Sequence, residues 1–195
     1  MDRVITVVSG LPRTGTSMMM KMLAAGGMEA VVDNIRVADE DNLNGYFEFE
    51  PVKKIKEDQS WLDGAAGKVF KMVSMLLYDL PKDRRYKVIF MQRDMWEMLA
   101  SQKKMLERKG QVSTVEVDEK NKALYEKHLE KVKDWLGRQN YMEVLYVNYN
   151  DVLREPHENA AAVNRFLGGG LDVEKMAKVF DKEMYRNRAG TAGPA

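Results

Sequence analysis

The chain reads as an α/β protein, a central parallel sheet of about five strands flanked by helices in three layers. Three observations predict this. Apolar runs of strand length alternate with stretches of helical spacing along the chain. The first run, Val4-Ile5-Thr6-Val7-Val8, opens onto a glycine-bearing turn and then a helical pattern. No repeat or interdomain linker interrupts the 195 residues, so one domain over 1–195 is expected, with 190–195 a flexible tail.

Taken in order, residues 3–8 form the first strand, and 17–25 a helix stopped by Gly26-Gly27. Residues 28–32 read as a short second strand, 33–45 as a polar loop, and 51–61 as a helix with Pro51 near its start. A third strand over 68–73 leads into a short helix ending near Asp79. Residues 86–92 are the clearest strand after the first, and the helix 94–108 leaves it. Over 116–138, Ala123, Leu124, Leu129, Val132, Trp135 and Leu136 recur at mostly helical spacing, opposite a charged, solvated face. A fifth strand over 143–147 precedes Tyr149, read as a packing residue, and Asp151, read as a helix start. A helix over 156–167 closes at Gly168-Gly169-Gly170, and a last short helix follows Asp172.

Composition excludes several classes of function. Thirty-one basic residues face 30 acidic ones, a net charge of +1, so there is no global nucleic-acid footprint. The absence of cysteine removes disulfides, thiolate catalysis and zinc-thiolate sites. No apolar stretch reaches the roughly 18 residues that span a membrane. Met1-Asp2-Arg3 runs straight into a strand, so a cytoplasmic location is expected. Met18, Met19, Met20 and Met22, from a total of 15 methionines, read as adaptable core filler.

The chemistry concentrates in Ser9-Gly10-Leu11-Pro12-Arg13-Thr14-Gly15-Thr16-Ser17. Strand, glycine turn and helix together aim backbone N–H groups at a phosphate. Gly10-x4-Gly15 has the spacing of a Walker A loop and predicts a P-loop nucleotide-hydrolase-like fold, but Thr16 stands where its Lys belongs. The basic residue, Arg13, lies inside the loop instead. A second motif, Arg93-Asp94-Met95-Trp96-Glu97-Met98-Leu99-Ala100-Ser101, ends a strand with an Arg and places a Ser eight residues on. Both can face one phosphate, the Arg as a fork and the Ser as a neutral donor. Parallel sheets bind ligands beyond their carboxyl ends, so both motifs and Lys71 should open onto one edge.

The Pro-Arg-Thr-Gly-Thr-Ser run resembles the phosphosulfate loop of the sulfotransferases, which use 3′-phosphoadenosine 5′-phosphosulfate (PAPS). The resemblance extends from Val4 to about Arg188 and includes the Arg93…Ser101 spacing and Asn42-Leu43-Asn44-Gly45-Tyr46-Phe47-Glu48. Tyr149-Asn150-Asp151-Val152-Leu153 is similar to a continuation of the family's fifth strand. The resemblance implies that Pro12, Arg13, Thr14, Gly15, Thr16 and Ser17 hold the 5′-phosphosulfate. It assigns the 3′-phosphate to Arg93 and Ser101. Cytosolic members place a His and a Lys after the third strand; Phe70-Lys71-Met72-Val73 keeps only the Lys. Glu48 is therefore the candidate base, with Glu50 as fallback, and Glu48 could equally pair with an Arg. Lys71 would neutralise the leaving phosphate or simply end its strand at the surface. The family's late glycine-rich basic segment has no good copy here, and Arg186 or Arg188 would stand in for it.

The implied reaction moves a sulfuryl group from PAPS to the hydroxyl or amine of a small-molecule or glycan acceptor. It leaves 3′,5′-adenosine bisphosphate (PAP), with no metal expected. Two alternatives stay open. A P-loop kinase would use Ser17 and Asp94 around Mg²⁺, and a non-catalytic nucleotide-binding module would need only the loops. His128 and His157 read as surface residues in either case.

Overall fold

A computed structural model describes residues 4–33, 47–108, 110 and 118–179. Four parallel strands, β1 (Ile5–Gly10), β2 (Val69–Val73), β3 (Tyr86–Gln92) and β4 (Met142–Asn148), form one sheet in the order β2-β1-β3-β4. Ladders run in register from Thr6–Val69 on one side of β1, from Ile5–Tyr86 on the other, and from Tyr86–Met142 beyond. All six residues of β1 are buried, because neighbours flank it on both sides and helices cover both faces.

The helices are α1 (Thr16–Ala25), α2 (Met95–Arg108), α3 (Glu119–Gly137), α4 (Tyr149–Arg154), α5 (Pro156–Leu167) and α6 (Val173–Ala177). Period-2 alternation divides the core. Ile5, Val7, Phe70, Met72, Val88 and Phe90 face one cluster, closed by Val132 and Leu136 of α3. Val8, Val69, Ile89 and Met91 face the other, closed by α1, α5 and α6. Met18, Met19, Met20 and Met22 are all buried there, as the core-filler reading expects. Each fully buried side chain of this size contributes about 1.5–3 kcal/mol.

The strand count differs from the sequence reading. Residues 28–32 contribute only an isolated bridge, Ala30 beside Val69, so the described residues hold four strands rather than about five. Gly27 at φ 100 breaks the chain before this segment, and two residues on either side of one bridge cannot build a ladder. Residues 51–61 also differ. Two single-turn 3₁₀ stretches, Glu50–Lys54 and Ser60–Gly64, replace the expected helix. Val52, Ile55 and Leu62 are buried in the core and Trp61 packs against it, a spacing that does not make a continuous apolar stripe. The expected short helix at 74–79 is likewise 3₁₀.

The fold's switch point lies between β1 and β3. From β1 the sheet grows one way to β2, and from β3 the other way to β4, leaving a crevice at the carboxyl ends. Both phosphate motifs begin there. No helix among the described residues is long and apolar enough to cross a membrane.

Candidate active site

The turn after β1 is built from close approaches. Gly10 sits at φ 151, where an added Cβ would lie 2.6 Å from the Met91 carbonyl of β3 and 2.7 Å from Thr14 Oγ1. Only glycine fits between the two strand ends. Thr14 is buried, and its hydroxyl donates to the Leu11 carbonyl at 2.7 Å. Its side chain therefore shapes the turn. Gly15 occupies the N-cap of α1 at φ 94, without a side-chain cap, and the first turn carries no acidic residue. That combination leaves the positive end of the helix dipole facing the loop.

Arg13 adopts φ 67, and Phe47, beside Glu48, adopts φ 47. These are the two non-glycine residues at positive φ among the described residues; Arg13 lines the crevice, while Phe47 packs on the core cluster beneath α1. Strain of this kind costs on the order of 1–3 kcal/mol per residue and collects where a site requires a particular backbone.

Arg13 joins the two phosphate motifs. Its Nε donates to Ser101 Oγ at 3.0 Å, and its carbonyl accepts from Arg93 Nη1 at 3.0 Å. Arg93 also donates through Nε to Glu97 Oε2 at 3.1 Å, and its guanidinium lies 4.6 Å from the Tyr149 ring centroid. Asn150 Nδ2 donates to the other Glu97 oxygen at 3.3 Å. Tyr149 touches the loop as well, since a Cβ on Gly15 would meet its Cδ2 at 2.4 Å. The side chain read as mere packing thus lies against both the loop and Arg93.

On the other side of Arg13 lies a cavity of about 320 Å³. Pro12, Arg13, Thr16, Ser17, Lys71 and Glu48 all line it. Lys71, on β2 in register with Val8, donates to Ser17 Oγ at 3.3 Å. Glu48 pairs at 3.7 Å with Lys53, and its carbonyl accepts the Asp33 N–H at 3.2 Å. The Asp33 carboxylate in turn accepts the Glu50 N–H at 2.6 Å, which pins the backbone around Glu48.

Arg93 is outside that cavity. It borders a second one of about 870 Å³, above β3 and β4, with Glu97, Asn150 and Lys133. Pro12, Arg13, Thr16, Ser17, Glu48 and Lys71 thus line one space and Arg93 the other, while Thr14, Gly15 and Ser101 line neither. Asn42, Leu43, Asn44, Gly45 and Tyr46 of the third motif, the stand-ins Arg186 and Arg188, and the tail 190–195 lie outside the described residues.

Sequence reasoning missed Glu97, Tyr149 and Asn150 as site residues. The i,i+4 spacing of Arg93 and Glu97 was a usable signal; nothing in the chain order links Tyr149 to Gly15. Asp94 caps α2, its Oδ1 accepting the Glu97 N–H at 3.0 Å. Of the histidines, His157 is exposed and pairs with Glu174. His128 is half-buried, with Nε2 2.9 Å from the buried Ser74 Oγ. Burial, and secondarily Lys131, pushes its imidazole below the ordinary histidine range.

A family model described as a sulfotransferase domain matches residues 4–189. No sequence among curated proteins matches significantly. Among solved structures, the sulfotransferase domain from the curacin biosynthetic pathway aligns at TM-score 0.53 and 12% identity, over 91% of this chain and 78% of that one. A sulfotransferase from Alicyclobacillus acidocaldarius aligns at TM-score 0.47 and 16% identity, over 87% and 82%. Retinol dehydratase in complex with androsterone and inactive cofactor PAP aligns at TM-score 0.47 and 15% identity, over 89% of this chain and 62% of that one.

Proposed function

The chain belongs to the sulfotransferase domain family, whose chemistry is sulfuryl transfer; from that premise we propose PAPS as donor and a small-molecule hydroxyl or amine as acceptor. The observation that carries this reading is the convergence of Arg13, Lys71 and Glu48 on one cavity at the uncapped N-terminus of α1. Two cations and a helix dipole suit a phosphosulfate, and a carboxylate opposite them suits an acceptor that must lose a proton.

The loop from Pro12 to Ser17 would hold the 5′-phosphosulfate, with backbone N–H groups and the Thr16 and Ser17 hydroxyls as donors. Arg93 and Ser101 would take the 3′-phosphate. Both are hydrogen-bonded to Arg13, so the two ends of the nucleotide would be gripped by one frame. In the reaction, the acceptor oxygen bonds to sulfur while the bond from sulfur to the bridging phosphate oxygen breaks. The electron pair leaves with PAP, and the acceptor's proton passes to the Glu48 carboxylate. Arg13 and Lys71 offset the charge that grows on the leaving oxygen. Positioning supplies the remainder of the rate, and the scheme uses no metal.

Calorimetry with PAP, 5′-AMP and ATP, with and without Mg²⁺, tests the reading. A metal-independent preference for PAP is the expected result. Preference for ATP with Mg²⁺ would replace it with a phosphoryl-transfer reading.

A further inference from the structure

Both cavities described so far lie at the carboxyl edge of the sheet. A third, of about 590 Å³, opens at the amino edge. Its lining comes from the strand starts: Ile5 of β1, the run from Lys82 to Arg85 that enters β3, and the Asn140-Tyr141 pair that enters β4. The backbone there is pinned. The Ile5 N–H donates to the Arg85 carbonyl at 3.0 Å, the Tyr86 N–H to the Tyr141 carbonyl at 2.9 Å, and Arg85 Nη1 to the Asn140 carbonyl at 2.8 Å. A strand the length of β1 or β3 separates this edge from the phosphate loop by roughly 20 Å. The two edges are therefore separate places for a small ligand.

This cavity holds donors that lack acceptors. Tyr141 is 7% exposed, and its buried hydroxyl has no hydrogen-bond partner. Burial raises the pKa of that phenol, so it keeps its proton and remains a donor. Arg84 spends Nη2 on Asp63 Oδ1 at 2.6 Å, yet its Nε is buried and makes no hydrogen bond, with Asp83 Oδ1 4.0 Å away. The neighbouring Tyr86 hydroxyl donates elsewhere, to the Pro81 carbonyl at 3.1 Å. Burial raises the Tyr86 pKa most; Arg84 then lowers it, and Asp83 and Tyr141 raise it, so these groups share one neighbourhood. Lys82 is exposed and has no partner among the described residues.

Buried donors are seldom left unpaired, and two of them at one cavity call for an acceptor from outside. Water can serve a lone hydroxyl, but the charge balance favours an anion. Asp63 answers Arg84, while Lys82 and Arg85 have no carboxylate of their own. The one acid in the lining, Asp83, has a side chain 76% exposed and screened by solvent.

We propose that this cavity is a second binding site, for a tetrahedral oxyanion: a sulfate or phosphate group held by Lys82, Arg84 Nε and the Tyr141 hydroxyl. A carboxylate brings two oxygens to these three donors, whereas a sulfate or phosphate group, free or esterified, brings at least three. The volume exceeds that of one such ion and leaves room for the organic part of an ester. The assignment does not depend on the donor reading above.

The test follows backbone amide shifts of ¹⁵N-labelled protein as inorganic sulfate, inorganic phosphate, phenyl phosphate or chloride is added at constant ionic strength. Amides at 82–85 and 140–141 should move together and saturate with sulfate and with phosphate, and chloride should not reproduce the effect. Lys82→Gln, at an exposed position that leaves the fold intact, should weaken the midpoint about tenfold, and Tyr141→Phe by a similar factor. Midpoints read at residues 10–17 should stay as they were in both variants. Tighter binding of phenyl phosphate than of phosphate would support the site as one for an ester, and weaker binding would support it as one for the free ion. Shifts at 82–85 that fail to saturate, that chloride reproduces, or whose midpoint is unchanged by Lys82→Gln would overturn the assignment.

Discussion

The two cavities at the carboxyl edge of the sheet are linked by a hydrogen bond, from Arg93 in the second to the carbonyl of Arg13 in the first, and are built on different plans. Above β1 and β2, the space is walled by core side chains, with its polar groups gathered at one end. Above β3 and β4, the lining is rich in charge, with Arg93, Lys133 and Arg154 set among Asp94, Glu97, Glu126 and Asp151, beside Met95, Leu129 and Leu153. On that side the charges answer one another before any ligand arrives, Arg93 with Glu97 and Arg154 with Asp151. One sheet edge thus carries two environments of different polarity. A charged wall fixes the direction of Arg93 through its partners, while an apolar wall sets shape and leaves its polar groups gathered at one end.

The sharpest way to break the comparison is Glu48→Gln. If the first cavity is the reaction chamber, kcat falls by about 10²–10⁴-fold, the usual worth of a positioned base. PAP affinity, measured by calorimetry, stays as it was. Unchanged turnover would remove Glu48 as the base. Arg93→Ala probes the other side. Loss of a charge-assisted contact worth about 1.5–3 kcal/mol should weaken PAP some ten- to hundredfold and 5′-AMP far less. Equal weakening of both nucleotides would sink the 3′-phosphate assignment.

The contact between the loop and Tyr149 can be tested through Gly15. Gly15→Ala should cost about 1–3 kcal/mol of stability in urea titrations from backbone strain alone, and more because the new Cβ meets Tyr149 at 2.4 Å. Gly27→Ala, also at positive φ but with nothing within 4 Å, is the control and should cost less. Adding Tyr149→Ala to Gly15→Ala should recover part of the difference. Additive losses would mean that the ring does not press on the loop.

The smallest effect is expected at His128, which bonds Ser74 at the end of the apolar cavity's strand. Its proton affinity is lowered by folding, so the unfolded chain takes up the proton first as pH falls. Its contribution is therefore complete above the ordinary histidine value of about 6.5 and is lost as pH drops through the window below it. Urea midpoints at pH 8 and pH 5 should differ less for His128→Asn than for the native chain. Equal differences would show that other groups set the acid sensitivity.

Much of this was legible in the chain order. The strand at 86–92 and the helix at 156–167 match the sequence reading residue for residue, because apolar runs bounded by turns, and a Pro start with a Gly stop, are local signals. Residues 28–32 were misread for the opposite reason. Whether a short apolar run joins a sheet depends on what lies beside it, and here Val69 accepts one bridge and no more. The 3₁₀ turns near 50–64 follow the same rule, since the core admits only their tips.

The sequence by itself determined the alternation of strand and helix, the loop with Arg13 in place of a Walker Lys, and the spacing of Arg93 and Ser101. These are contiguous patterns, and backbone sterics and side-chain periodicity act within a few residues. Only the tertiary structure decided that Tyr149 lies against both Gly15 and Arg93, that Glu48 faces the same space as Lys71, and that this space is apolar beyond them. Those relations join residues 23 to 134 positions apart, and they exist because parallel strands bring their carboxyl ends to one edge while the side chains that meet there come from separate crossovers.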